Sequence, residues 1–236
     1  MTKLYVCEIS NLIEELKSDE NAMEVYFEKL GELRIEHILK HNRAEDRARA
    51  LGASLLLLFA LWQEGYELPS LPDFAYEKKG KPYLMGLEQV HFNLSHTKNI
   101  VTCVISNKEV GVDVEHVRQI KENTTNRVFT EKEKQMAMYS EEGYVRIWTM
   151  KEACAKLIGT GISEIIDGLE IVKNSSGITV KKLNQNIIKT FCYKIIAEGK
   201  LSDNLEYPYY YSICANESDH VECIYTKWDS SRIMYC

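Results

Sequence analysis

The run "LLLLFALW" (Leu55–Trp62) constrains this chain more than any other segment. It closes a longer stretch, "RAEDRARALGASLLLLFALWQEG", whose spacing predicts one long helix that turns fully apolar before Gly65 ends it. The run is far short of the ~20 residues needed to cross a bilayer. A helix that is apolar all round must be covered on nearly every side. The first half of the chain therefore has to be built around it, and 236 residues are enough for one large domain or two small ones.

The surrounding pattern is mixed. Residues ~21–40 have helical apolar spacing, and a loop punctuated by Pro69 and Pro72 follows the long helix. "KKGKPY" reads as a turn, after which the chain changes to strand character. "QVHFNLSH", "IVTCVIS" and "EVGVDVEHV" alternate and are rich in β-branched residues, with "SNKE" read as a hairpin turn between the last two. The second half repeats the plan. "TEKE" is a capping box that starts a helix at Thr130. The helix "WTMKEACAKLIGTG" comes next, with Gly159 and Gly161 as its stop. "GLEIVKNSSGITVKKL", "IIKTFCYKIIA", "YYYSICAN" and "VECIYTKW" complete the chain as strands and hairpins. Helices followed by antiparallel strands, twice over, predict an α+β protein of two similar halves. Each half is a small antiparallel sheet packed with helices, residues 1–111 and 112–236, with the seam near Gly111–Val117.

Composition narrows the class. A formal charge of −6 argues against a general nucleic-acid binder, which needs a basic face. Seven cysteines without CxxC or Cys/His spacing point to neither a disulfide framework nor a zinc site. With no signal-peptide pattern in "MTKLYVCEIS", the expected setting is a reducing cytoplasm, away from membranes. Two basic islands stand out: Arg43, Arg47 and Arg49, then Lys78, Lys79 and Lys81. Each suits a small polyanion, although a solvated face is the commoner explanation for either one alone.

Three motifs carry possible chemistry. In "GVDVEHV", Val112 and Val114 face one side of a strand while Asp113 and Glu115 face the other. Paired carboxylates repel unless a proton or cation lies between them, and hard oxygens at this spacing suit Mg²⁺. Taken alone, the pair reads more readily as two solvated acids. "FNLSHT" ends a strand with Ser95, His96 and Thr97, possible phosphate donors or ordinary turn formers. In "WTMKEACAK", Trp148, Glu152 and Lys156 form a stripe at i, i+4 spacing beside the apolar stripe of Ile147, Met150, Cys154 and Leu157. Ala153 and Ala155 beside that polar stripe look small enough to leave room for a substrate.

"GKP", "FNLSH", Gly111-Val-Asp-Val-Glu115 and Trp148-Thr-Met-Lys-Glu-Ala-Cys-Ala-Lys156 occur in this order, and here the chain resembles the Sfp-type 4′-phosphopantetheinyl transferases. The resemblance covers roughly residues 30–165 and continues into "GTGI". It implies the long, pseudo-twofold class, with the two halves related by a pseudo-twofold axis and one chain sufficient as a monomer. It further implies transfer of the 4′-phosphopantetheine arm of coenzyme A to a serine of an acyl or peptidyl carrier protein, with release of 3′,5′-ADP. By that resemblance Asp113, Glu115 and Glu152 hold Mg²⁺, Glu152 is the general base and Lys156 contacts the pyrophosphate, while Lys151 points elsewhere. Ser95, His96 and Lys81 become coenzyme A contacts. Arg34, His37, Arg47 and Arg49 fall where relatives carry further basic contacts. Glu133 is left between its capping role and a place near Lys156, and the polar segment "RQIKENTTNRVF" is expected to be mobile and to help dock the carrier.

Two other readings compete. A degenerate relative would bind coenzyme A or a carrier without turnover. An unrelated Mg²⁺ phosphotransferase would use the same acids with a nucleotide, although no GxxxxGK[ST] loop supports it.

Overall fold

The computed structural model describes residues 1–160, 168–175, 177–182, 191–201, 205, 207–216 and 220–229. The long helix is there as expected: α3 covers Ala44–Gln63, with Glu45 and Asp46 in its first turn, where the helix dipole favours acids. Gly65 follows at φ +87°, a left-handed turn that only glycine takes without strain. From Leu55 to Leu58 the helix is buried all round, whereas Trp62 is an exposed exception to the apolar run.

What covers α3 was only partly visible in the sequence. Strand β1 (Thr2–Glu8), too apolar to alternate cleanly, and helix α1 (Ser10–Ser18), whose Leu12, Ile13 and Leu16 fall at helical spacing, precede it. The helix expected over ~21–40 is broken into a 3₁₀ stretch, Glu20–Lys29, and helix α2, Glu32–Leu39. At the break Leu30 bridges Leu71, and a Cβ on Gly31 would lie 2.2 Å from the Asp73 carboxylate, so the chain must turn there.

β2 (Phe74–Tyr76) and β3 (Pro82–Leu84) form a small ribbon across the "KKGKPY" turn. β4 (His91–Thr97) and β5 (Ile100–Ser106) are an antiparallel pair turning at Lys98, whose φ is +51°. β6 covers Val110–His116. The expected hairpin between β5 and β6 does not form. Instead, β6 pairs with β10 (Tyr209–Ala215) in a second sheet, Val114 opposite Tyr211. The physical reason lies at the other edge of β6. There the Asn93 Oδ1 accepts from the Val112 N–H (3.0 Å) and the Ser95 Oγ from the Val114 N–H (3.2 Å). Side chains of β4 thus occupy donors that a hairpin partner would have used.

The second half continues with α4 (Glu122–Val128), α5 (Glu131–Met136), α6 (Glu141–Ile158), β7 (Leu169–Asn174), β8 (Gly177–Lys182), β9 (Phe191–Lys200) and β11 (Val221–Lys227). The segment expected to be mobile therefore contains a helix, α4. The capping box at Thr130 is present with both of its bonds. Gly161 and Ile162 of "GTGI", and part of the "IIKTFCYKIIA" strand, lie outside the described residues, whereas Gly159 caps α6 at φ +77°.

The second sheet is antiparallel, in the order β6-β10-β9-β8-β7. The first has the order β11-β1-β5-β4, and β11 runs parallel to β1, with Thr2 opposite Val221. The first sheet is thus mixed rather than antiparallel, and one of its strands comes from beyond residue 220. β5 is buried at all seven positions because both its faces are covered. Val101 and Cys103 meet α3, while Ile100 and Val104 meet Val110, Val112 and Ile213 of the second sheet. The order of layers is α3, first sheet, second sheet, α6. Both sheets therefore pack face to face, and the edges of β4 and β6 meet at the seam.

A candidate active site where β4, β6 and α6 meet

The strand alternation expected of "GVDVE" holds: Val112 and Val114 enter the inter-sheet core, while Gly111 and Asp113 face α6. Gly111 has a clear steric role. A Cβ there would stand 2.1 Å from the Ala153 carbonyl oxygen and 2.6 Å from the Leu157 nitrogen, so α6 lies directly on the strand backbone. This corrects the expectation for the small residues of α6. Ala153 and Ala155 are completely buried, and Ala153 serves the close approach of helix to strand rather than leaving space for a substrate.

That approach sets the polar stripe of α6 against two strands. The Lys156 Nζ donates to Asp113 Oδ1 (2.7 Å) and to Ser95 Oγ (2.9 Å). Ser95 donates its own proton to the same Asp113 oxygen (2.9 Å). The other oxygen, Asp113 Oδ2, is buried without a hydrogen-bond partner. Burial holds the Asp113 carboxyl above the usual aspartate range, against the pull of Lys156. Glu115, two residues on, accepts a two-pronged contact from Arg118, at 2.5 Å and 3.2 Å, and a hydroxyl hydrogen bond from Thr97 (3.1 Å).

Glu152 takes part in none of the hydrogen bonds or ion pairs among the described residues. Burial, then the nearby Asp113, lifts its pKa to about 7, with Lys156 opposing and Glu115 adding to the rise. Three carboxylates thus share one place with two close cations. Among the described residues they are not already gathered as a metal cage.

Beside Glu115 opens a cavity of about 810 Å³, bordered by Arg43, Arg49, His96, Lys98 and Arg118. One edge of His96 is open to solvent, yet enclosure by the surrounding protein, followed by Lys156 and Arg49, pushes its pKa down. Its ring is neutral at pH 7. An anion arriving in the cavity would raise that pKa again.

Sequence-derived candidates divide sharply at this point. Ser95, Asp113 and Lys156 are directly bonded to one another, with Glu152 close enough to feel both charges, and Arg49 and His96 border the cavity with Glu115. Three basic candidates are engaged elsewhere. Arg34 is buried, donating to Ser54 Oγ (2.7 Å) and the Ala50 carbonyl (3.2 Å) beneath the Phe74 ring. Arg47 donates to the His41 carbonyl (2.8 Å), closing the loop before α3. Lys81 pairs with Glu109 and donates to the Leu157 carbonyl (3.4 Å), so it holds the C-terminal end of α6. Thr97 shares a face of β4 with Ser95, a period-2 signal that was visible. Arg118 and Lys98 lay in loop sequence that no periodicity marks.

Comparison with known proteins agrees with the motifs. The 4′-phosphopantetheinyl transferase superfamily matches residues 109–204, which include β6, α6 and the intervening helices. A Bacillus subtilis protein named 4′-phosphopantetheinyl transferase is 29% identical over 56% of this chain and 62% of its own length. A Bacillus pumilus protein, 4′-phosphopantetheinyl transferase psf-1, is 34% identical over 50% of this chain and 53% of its own. An Aneurinibacillus migulanus protein, 4′-phosphopantetheinyl transferase gsp, is 29% identical over 68% and 69%. Over residues 109–204 the chain is thus similar to the 4′-phosphopantetheinyl transferase superfamily, and it spans 62% of the length of the Bacillus subtilis relative.

The other lysine of the α6 motif also finds a partner. Lys151 does not share the face of Glu152. It is buried, donating to Glu133 Oε2 (2.8 Å) and the Val128 carbonyl (2.6 Å). Glu133 therefore keeps its capping role and pairs with Lys151, not Lys156, while its second oxygen accepts from the Ile171 N–H (2.8 Å).

Proposed function

We propose that this chain transfers the 4′-phosphopantetheine group of coenzyme A to a serine of an acyl or peptidyl carrier protein, with Mg²⁺ and with release of 3′,5′-ADP. The observation that carries this reading is the juxtaposition of Asp113, Glu115 and Glu152 with Lys156, in a cluster whose Glu115 borders a basic cavity. The serine oxygen attacks the phosphorus next to the pantetheine arm. The bond from that phosphorus to the bridging oxygen breaks, and the adenosine diphosphate leaves with the electron pair. Glu152, with a pKa near the working pH, is suited to take the serine proton. Arg43, Arg49 and Lys98 attract the phosphates, and His96, which borders the same cavity, offers a hydrogen bond to them, with Ser95 beside it held on Asp113.

The donor set fits a small hard cation. Asp113 has a buried oxygen without a partner, and Asp113 and Glu115 stand close enough to raise the proton affinity of Glu152. Those three residues would hold Mg²⁺, which when bound neutralises the pyrophosphate. Lys156 is placed to turn from Asp113 to the phosphates and stabilise the charge that develops there. The site draws on β4, β6 and α6 of a single chain, which supports a monomer as the working unit. The cysteines Cys7, Cys103, Cys154 and Cys214 are free and buried, consistent with a cytoplasmic setting. No helix among the described residues is long and apolar enough to cross a membrane.

The test is incubation with coenzyme A, Mg²⁺ and several apo carrier proteins, read by intact mass. The expected result is one phosphopantetheine added per carrier domain. Absence of that mass on every carrier overturns the reading.

A further inference from the structure

The candidate site is nearly balanced in charge without any ligand. Asp113, Glu115 and Glu152 face two close cations, and those cations are not equivalent. Lys156 approaches from a packed helix. Arg118 comes from the irregular stretch between β6 and α4, with its side chain 41% exposed. Its guanidinium grips both oxygens of Glu115, and the same side chain borders the cavity shared by Arg49, His96 and Lys98. A guanidinium fork matches a phosphate as well as it matches a carboxylate. Glu115 would not lose its orientation if the arginine left, because Thr97 still donates to Oε2.

We propose that Arg118 is an exchangeable counter-ion. In the ligand-free chain it neutralises Glu115; when a divalent cation takes Glu115, its guanidinium turns to a phosphate of the substrate in the cavity. The two events are then linked, since each releases the group that the other needs. Binding of metal and anion becomes cooperative through one side chain. This inference rests on the function proposed above and adds a residue that couples its two ligands.

The linkage predicts opposite effects of one substitution. Arg118→Gln leaves Glu115 without its cationic partner, so Mg²⁺ alone should bind more tightly. The same variant lacks the guanidinium, so coenzyme A in saturating Mg²⁺ should bind about tenfold more weakly, within the usual range of coupling between sites. Both constants are measured by titration calorimetry on the intact chain, with MgCl₂ alone and with coenzyme A in the presence of MgCl₂. Because Arg118 is largely at the surface, the variant should keep its melting temperature. Glu115→Gln gives an independent check: with Arg118 released, coenzyme A without metal should bind more tightly than to the unaltered chain. Constants that move in the same direction in Arg118→Gln, or that both stay within twofold of the unaltered chain, overturn the proposal. If the unaltered chain itself binds no coenzyme A with or without Mg²⁺, the proposed function fails instead.

Discussion

Lys151 and Lys156 sit five residues apart on one helix, and each is paired with a carboxylate. Their surroundings make them different groups. The Lys151 pair is sealed, with side chains 1% and 0% exposed; the lysine donates to Glu133 and the Val128 carbonyl, and both Glu133 oxygens accept backbone N–H bonds, from Thr130 and Ile171. The Lys156 pair opens to solvent on the lysine side at 28%, and its aspartate keeps one oxygen unpartnered. The first contact is enclosed by protein and ties α5, α6 and β7 together. The second is incomplete, which fits the proposed ligand site. An ion pair is therefore diagnostic of function only when its unsatisfied atoms are counted.

The comparison can be tested hardest at Lys151. Lys151→Met should cost about 3–5 kcal/mol of stability in chemical denaturation, because Glu133 is left charged in the interior. A cost below 1 kcal/mol would erase the distinction between the two pairs. Lys156→Met should behave in the opposite manner. It is expected to lower the proposed carrier-modifying turnover by ~10²–10³, as removal of a group that stabilises developing charge does, and to cost only about 1 kcal/mol of stability, since the pair is partly solvated.

Gly111→Ala probes the surface on which both lysines depend. The new methyl meets backbone atoms of α6, so the helix must shift. Turnover should fall about 10²-fold, as for a misplacement of order 1 Å, while the circular dichroism spectrum remains that of a folded α+β chain. Unaltered turnover would mean that α6 does not need to touch β6.

The smallest effect is a pH-dependent one at Glu152. Its folded pKa is raised to about 7 from an ordinary value of 4.5, so the protonated form favours the fold. That contribution is complete below about pH 4.5 and is lost as pH rises through 7. Glu152→Gln, which cannot ionise, should match the unaltered chain in melting temperature at pH 4 and exceed it increasingly up to pH 8. Both measurements belong in metal-free buffer. A constant difference across that range would place the carboxyl in an ordinary solvated environment.

Much of this arrangement was legible beforehand. Period-2 alternation in "GVDVE" placed Asp113 and Glu115 on one face, i, i+4 spacing aligned Glu152 with Lys156, and the capping box marked Thr130. These are local rules, set by strand and helix geometry within a few residues. The β5–β6 hairpin was misread because alternation cannot tell which sheet a strand joins. The basic candidates were misread for a related cause. A charge island shows only that cations are close in sequence, and Arg34, Arg47 and Lys81 proved to be spent on Ser54, His41 and Glu109.

By itself, the sequence determined which residues share a face: the acids of β6, the acid and lysine of α6, and the apolar surface of α3. Periodicity dictates those relations before any packing occurs. Tertiary structure alone decided which lysine is sealed and which is open. It also decided that Gly111 must lack a side chain and that residues 221–227 complete the first sheet. Those outcomes depend on contacts between segments up to two hundred residues apart, where burial and the count of available hydrogen-bond partners are set by packing.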